Sequence, residues 1–110
     1  METYYDPKDL ARFGEIGEHR KDLFDAFMNW YQATLKEGAL SRREKALIGL
    51  AVAHSIQCPY CIDSFSQQCL DAGSNMEQMT EAIHVTSAVR GGASLIHGIQ
   101  AHNSVEKVCM

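Results

Sequence analysis

The stretch Ser41 to Asp63, SRREKALIGLAVAHSIQCPYCID, decides the fold. Its first four residues form a capping-box pattern, in which a serine at the N-cap and a glutamate at the third helical position precede an apolar run. From Ala46 to Ile56 the residues are apolar on nearly every side of a helix, so we expect a central, strongly buried helix. Pro59 suits the first helical position, so a further helix is expected to begin at the cysteine pair.

The remaining sequence is also patterned for helices. Apolar residues at helical spacing predict a helix from His19 to Leu35, with Gly38 just past its end. The helix at the cysteine pair is expected to stop at Gly73, where SNME over residues 74–77 predicts a second capping box and a long last helix. Gly91-Gly92 lies within that long pattern and marks either a helix break or a close helix crossing. No alternating strand pattern occurs, so the sequence predicts an all-α protein.

Length and composition indicate one domain. The chain has 110 residues, of which 45% are hydrophobic, and it contains no low-complexity tract. A chain of this length forms a small globular domain. We therefore expect a single domain over residues 1–110. Within it, residues 1–17 would form a partly ordered N-terminal extension with a short helix from Pro7 to about Phe13, and residues 103–110 would form a frayed tail.

Charge and hydropathy argue against two classes of partner. The net charge is −4, and the charged residues are interspersed, whereas nucleic-acid binding needs a basic face. The longest apolar stretch, Ala46 to Ala53, is far shorter than the roughly 20 residues of a membrane-spanning helix. The N-terminus is acidic and lacks the apolar run of a signal peptide. We expect a cytoplasmic protein that binds neither nucleic acid nor membranes, in which four cysteines do not predict a disulfide framework.

Two cysteines three residues apart carry the chemistry. With Cys58 at the N-cap and Cys61 in the first turn, the two sulfurs can come within disulfide distance. The N-terminus of a helix favours a thiolate over a thiol. A thiolate attacks disulfides and peroxides, and the second cysteine resolves the intermediate. A structural zinc site would need a second ligand pair of similar spacing, which is not visible, so we expect no metal and no cofactor.

The sequence CPYC is also typical of glutaredoxins, but the rest of the chain excludes that fold. A glutaredoxin needs a strand before the cysteines and a cis-proline loop after them. Here the residues before Cys58 follow a capping box and belong to a helix. The chain has only two prolines, Pro7 and Pro59, so neither follows the cysteine pair. The redox chemistry of a CxxC at a helix start survives this exclusion.

Four stretches resemble the AhpD-like, or carboxymuconolactone decarboxylase, superfamily: EKALIGLAVA (44–53), CPYCI (58–62), DAG (71–73) and the segment from EAIH to GGASLIHG (81–98). The resemblance covers roughly residues 20–102. It is closest to the arsenosugar biosynthesis-associated peroxidase-like proteins, which share YYDPKDLARFGEIG, AVAHSIQCPYCID and VRGGASLIHG. It implies a helical bundle of about five to six helices that assembles as a homo-oligomer, as a trimer or a hexamer.

The resemblance also implies an activity, that of a thiol oxidoreductase that reduces peroxide or disulfide through its CxxC. In AhpD-like peroxidases the second cysteine attacks the peroxide and the first resolves it. Carried over, Cys61 would be the peroxidatic residue and Cys58 the resolving one. A dithiol reductant, such as a lipoyl group or a thioredoxin-like protein, would then restore the pair.

The sequence departs from the superfamily at its proton relay. Relatives carry a glutamate twelve residues before the first cysteine and a histidine four after the second, and this chain has Ala46 and Phe65 there. His54, one helical turn before Cys58, is a candidate substitute because imidazole titrates in a suitable range, or it is a histidine at a helix surface or subunit interface. Glu44 is another candidate, although its capping role also explains it. The candidate catalytic residues are therefore Cys58, Cys61, His54 and Glu44.

Two other functions stay open. In the first, the chain is a binding module whose two thiolates hold a soft ion such as trivalent arsenic. In the second, it is a non-redox enzyme resembling the lactone decarboxylases of the superfamily. Those enzymes lack the CxxC, so its presence here counts against the second alternative.

Overall fold

The computed structural model describes residues 3–109, and all their regular structure is helical. A 3₁₀ helix (Pro7–Gly17) is followed by five α-helices: α1 (Lys21–Leu35), α2 (Arg42–Ser55), α3 (Pro59–Asp71), α4 (Met76–Ile96) and α5 (Gly98–Cys109). The all-α class and the helical-bundle fold are thereby confirmed. Residues 1, 2 and 110, the outer ends of the expected extension and tail, lie outside the described residues.

The capping box of α2 forms as the sequence predicts. The Ser41 hydroxyl accepts the Glu44 N–H at 3.0 Å, and the Glu44 carboxylate accepts the Ser41 N–H at 2.7 Å. Two N–H groups that the helix itself cannot satisfy are thus paired. These two bonds fix the residue at which α2 begins.

The second capping box lies one residue later than predicted. Gly73, at φ +88°, closes α3, and the Ser74 N–H donates to the Cys69 carbonyl at 2.8 Å. Because Ser74 completes this end of α3, the N-cap of α4 falls to Asn75. The Asn75 side chain accepts the Gln78 N–H at 2.9 Å, and the Gln78 side chain accepts the Asn75 N–H at 3.1 Å.

Both ends of the chain are more regular than expected. The N-terminal helix is a 3₁₀ helix that continues to Gly17, past the predicted end near Phe13. Arg12 pairs with Asp9 and Glu15, each three residues away, and side chains at this spacing align in a 3₁₀ helix. At the other end, the expected tail is helical as far as Cys109.

Gly91 and Gly92 do not break α4, which continues to Ile96. The interruption lies further on, at His97, between α4 and α5. A Cβ added at either glycine would meet nothing within 4 Å in the chain itself. A close helix crossing at these glycines, if one forms, therefore requires a second molecule.

The core lies where α2, α3 and α4 pack together. It consists of Ala46, Leu50, Phe65, Cys69 and Met79, of which Leu50 and Cys69 are fully buried. The molecule is nevertheless extended, with a radius of gyration of 19.0 Å, against about 13 Å for a compact domain of this length. The second half of α4 and all of α5 project from the core. None of the described helices combines the length and apolar content required to cross a membrane.

Candidate functional site

Cys58 is held at the start of α3 by a tight connection from α2. Its backbone N–H donates to the Ala53 carbonyl at 3.1 Å, and the preceding Gln57 adopts a left-handed conformation with φ 54°. Cys58 is the N-cap of α3, as predicted, and its sulfur accepts the Cys61 N–H at 3.3 Å. The sulfur of Cys58 therefore occupies the position that a serine or aspartate oxygen takes at other helix starts.

The two cysteines form a dithiol at this helix start. Cys58 and Cys61 are both free and half-buried, and they approach within 2.6 Å of each other. Oxidation of the pair to a disulfide would thus require little movement of the backbone. The other two cysteines lie elsewhere, Cys69 fully buried in the core and Cys109 exposed on α5.

Cys61 faces the hydrophobic core. It packs against the buried cluster that contains Leu50 and Phe65. Burial, together with the hydrogen bond to Cys58 and the charge of Cys58, raises the pKa of Cys61 from 9.0 to about 11. At neutral pH, Cys61 is therefore a thiol and not a thiolate.

The two positions of the missing relay meet in that same cluster. Ala46 and Phe65 are both buried there, exposed by only 4% and 7%. The Phe65 ring lies directly over Gly49, where an added Cβ would fall 2.2 Å from the ring. At the two positions where the resemblance implies a proton relay, this chain thus places a methyl group and a phenyl ring, neither of which can accept a proton.

On its other side the dithiol opens into a cavity of about 650 Å³. The cavity lies between the 3₁₀ helix, α1 and α3, and both cysteines line it. Its remaining walls are mostly apolar: Leu10, Phe13, Ile16, Phe27, Met28 and Tyr31, with Asp9, Arg12, Tyr60 and Ser64 completing the lining. A ligand with an apolar body could thus reach the sulfurs without contacting the core.

The N-terminal segment is fastened directly to the dithiol helix. The Tyr5 hydroxyl donates to the Asp63 carboxylate, and the Tyr5 ring meets the Tyr60 ring edge-on, with centroids 4.7 Å apart. The Tyr60 hydroxyl lies 3.5 Å from an oxygen of Asp9. The hydrogen bond to Asp63 is the main reason that the pKa of Tyr5 is raised to about 12. Sequence analysis missed this attachment, because tyrosines and aspartates in an extended segment carry no periodic signal.

Neither of the two candidate bases lines the cavity. His54 is on α2, where its Nδ1 lies 2.9 Å from the Leu50 carbonyl of its own helix, and it is not among the residues that line the cavity. Glu44 is exposed at the opposite end of α2, about 20 Å along the helix from the cysteines. The backbone N–H of Ser41 holds the pKa of Glu44 below its usual value. Glu44 thus serves α2 as a capping residue.

Known proteins share this sequence and fold. The profile of the carboxymuconolactone decarboxylase family matches residues 21–103. A Paracoccus denitrificans protein named "uncharacterized protein 4 in cox locus" is 38% identical over 95 residues, 86% of each chain.

Two crystal structures are also similar. One is apo-lpg0406 of Legionella pneumophila, described as a carboxymuconolactone decarboxylase family protein, which has a TM-score of 0.71 and 29% identity over 92% of this chain and 91% of its own. The other is a Methanobacterium thermoautotrophicum protein, with a TM-score of 0.70 and 27% identity over 74% of this chain and 93% of its own. The chain therefore belongs to the carboxymuconolactone decarboxylase family, within the AhpD-like superfamily.

Proposed function

We propose that this protein is a CxxC-dependent thiol oxidoreductase of the alkylhydroperoxidase-like type, which reduces a peroxide or a disulfide through Cys58 and Cys61. The observation that carries the proposal is the dithiol at the start of α3, with both sulfurs on the wall of an apolar cavity. Thiolate chemistry at a helix start needs no metal or organic cofactor. The resemblance to arsenosugar-associated proteins adds a biological setting that remains a prediction.

The cavity favours a substrate with an uncharged, apolar body. Its one arginine, Arg12, is engaged by Glu15 at 2.7 Å and by Asp9 at 3.2 Å, so its charge is already balanced. Most of the remaining lining consists of phenylalanine, leucine, isoleucine and methionine side chains. An organic hydroperoxide or a small disulfide with apolar substituents matches these surroundings better than a phosphorylated or multiply charged molecule.

The overall reaction is a two-electron exchange. A hydroperoxide ROOH and the dithiol would give ROH, water and the Cys58–Cys61 disulfide, with the O–O bond broken and one S–S bond formed. A dithiol reductant, such as a lipoyl group or a thioredoxin-like protein, would reduce the disulfide and leave as a disulfide itself. A reducing compartment such as the cytoplasm suits a pair that must return to the thiol state.

The test is turnover with an organic hydroperoxide and a dithiol reductant. We expect wild type to consume the hydroperoxide with one reversible Cys58–Cys61 disulfide formed per molecule reduced. Cys58→Ser and Cys61→Ser should each lose turnover, while Cys109→Ser, which replaces an exposed thiol on α5, should keep it. Stoichiometric binding of trivalent arsenic without turnover would favour the binding module instead. Activity that persists without either cysteine would favour a non-redox enzyme.

We also propose that the chain, as one domain, works as a homo-oligomer, a trimer or a hexamer. Apolar side chains cover the projecting helices, and the free face of α2 adds two more. At least half of the surface of each of these residues is exposed: Ile48, Val52, Val85, Val89, Leu95, Ile96, Ile99, Val105 and Val108. Many exposed apolar side chains on the same helices point to an interaction site. The extended shape of the single chain points to the same conclusion.

Sedimentation measures the assembly directly. Wild type should sediment as an oligomer at micromolar concentration, and Val89→Asp should lower the oligomer mass because it places a charge on the projecting face, where Val89 is 66% exposed. Glu77→Gln, at the start of the same helix, is a control that removes a charge from the exposed first turn. A monomer in wild type would contradict the proposal.

A further inference from the structure

We propose that Cys58 is the nucleophile of the pair and that Cys61 resolves the mixed intermediate. This order is the reverse of the one that the superfamily resemblance implies. The inference rests on the proposed function, because it assigns roles within the same dithiol. It follows from two differences between the surroundings of the two sulfurs and from the titratable groups that surround the pair.

The first difference is the hydrogen bond at the helix start. The sulfur of Cys58 caps the helix by accepting the backbone N–H of Cys61. The sulfur of Cys61 lies within the first turn and does not cap the helix. Negative charge at an N-cap is stabilised by this N–H and by the partial positive charge of the helix end. A thiolate is therefore better accommodated at Cys58 than at Cys61.

The second difference is what lies behind each sulfur. Cys61 packs against the core cluster, where Phe65 and Ala46 occupy the relay positions and supply no proton acceptor. Cys58, in contrast, follows the end of α2, and its backbone is fixed to the Ala53 carbonyl. In relatives with a relay, the second cysteine has a base beside it. Here the second cysteine has only apolar neighbours in the core cluster, so the first cysteine is the easier one to deprotonate.

The titratable groups around the pair do not replace the helix N-terminus as a stabiliser of negative charge. Tyr31 on α1 approaches both cysteines, and burial raises its pKa, so it is a neutral phenol. From the N-terminal segment Tyr5 is also a neutral phenol, bound to the Asp63 carboxylate of α3. Arg12 lines the same cavity but is engaged by two carboxylates. These groups leave the helix N-terminus as the main stabiliser of a thiolate, and it acts on Cys58.

The steps balance for a disulfide substrate RSSR. The Cys58 thiolate attacks one sulfur, the S–S bond of the substrate breaks, and RS⁻ leaves while a Cys58–SR mixed disulfide forms. Cys61 then attacks the sulfur of Cys58, its proton passing to the departing RS⁻. The products are the Cys58–Cys61 disulfide and two reduced sulfur groups, one RSH and one RS⁻. The protein dithiol has lost two electrons and the substrate has gained them.

Variants that keep only one cysteine of the pair separate the two roles. In a Cys109→Ser background, which removes the exposed thiol, Cys61→Ser and Cys58→Ser are mixed with dipyridyl disulfide at pH 7. We expect Cys61→Ser to release one equivalent of thiopyridone and to accumulate a mixed disulfide at Cys58. Cys58→Ser should react at least about tenfold more slowly, because a thiol must lose its proton before it attacks. Cys69, which has no exposed surface, should stay unmodified in both.

Peptide mapping decides between the outcomes. Faster reaction of Cys58→Ser, with the label on Cys61, would overturn the inference while leaving the redox function intact, provided that the Cys109→Ser parent still forms the Cys58–Cys61 disulfide. A parent that forms no such disulfide would overturn both. If a serine variant does not fold, the parent itself is quenched with acid within milliseconds of mixing. The mixed disulfide trapped there must map to Cys58.

Discussion

The two cysteines of the dithiol both line the cavity, but their other neighbours differ. On the core side, Cys61 meets Phe65 and the rest of the buried cluster, and its pKa is raised to about 11. On the cavity side, Cys58 caps the helix beneath an N-terminal segment fastened by Tyr5. The comparison teaches that a CxxC motif does not itself specify which cysteine reacts. The neighbours of each sulfur do.

The strongest way to break this comparison is to remove Phe65. Phe65→Ala should lower the free energy of unfolding by about 3–5 kcal/mol, because it leaves a cavity in a core whose ring is only 7% exposed. The same change should expose Cys61 and lower its pKa. Phe13→Ala is the matched control: Phe13 lies on the cavity side and is 46% exposed, so its loss should cost much less. Chemical denaturation measures both, and equal losses would contradict the comparison.

Gly49 tests the packing behind Cys61. Gly49→Ala should lower the free energy of unfolding by about 1–3 kcal/mol, because the new Cβ would overlap the Phe65 ring. Gly14→Ala, whose Cβ would meet nothing within 4 Å, is the control in the same denaturation experiment. An unchanged stability in Gly49→Ala would mean that the ring can move aside, and that the core behind Cys61 is less rigid than described.

The raised pKa of Cys61 predicts a pH dependence of stability. A buried group with a raised pKa contributes stability that is fully present below the pKa of the unfolded chain and is lost as the pH rises through the folded value. The free energy of unfolding should therefore fall between about pH 9 and 11 in reduced protein. Cys61→Ser should remove part of this fall, whereas Cys109→Ser should not. The loss should be smaller than in the packing variants, since Cys61 is only half-buried.

The smallest effect is expected on the cavity side. Tyr5→Phe removes the hydroxyl that donates to Asp63 and leaves the ring beside Tyr60. Global stability should change little, but hydrogen exchange in the 3₁₀ helix should become faster, because the segment loses one of its polar contacts with α3. In a spectroscopic titration, the tyrosine that ionises near pH 12 should disappear. Unchanged exchange would show that the Tyr5–Tyr60 ring contact and the Tyr60–Asp9 contact hold the segment without this hydrogen bond.

The sequence was sufficient for the features that repeat or cap. Three local signals are examples. Ser41 and Glu44 cap α2 through hydrogen bonds, Pro59 lacks the N–H that the first position of α3 leaves unpaired, and Gly73 adopts the positive φ that closes α3. Such local signals do not predict the shift of the second capping box, because the Ser74 N–H bonds to the Cys69 carbonyl at the end of the preceding helix.

The site was only partly predictable. The spacing of Cys58 and Cys61 predicted a dithiol at a helix start, where the structure places both residues. That Ala46 and Phe65 stand in place of a proton relay stays a prediction. The cavity, in contrast, is formed by three elements that are distant in sequence. One of its walls is the 3₁₀ helix, which lies where the sequence predicts a partly ordered extension. His54 and Glu44 were proposed from their position along the chain. Their side chains are engaged with their own helix instead.

The central claim is that the two thiols are unequal, with Cys58 reactive and Cys61 held as a thiol. The most direct measurement is the pH dependence of alkylation of each cysteine in reduced protein, resolved by peptide mapping of singly labelled molecules. The account predicts that iodoacetamide labels Cys58 at neutral pH and that labelling of Cys61 rises only as the pH approaches 11. Preferential labelling of Cys61 at pH 7 would contradict it.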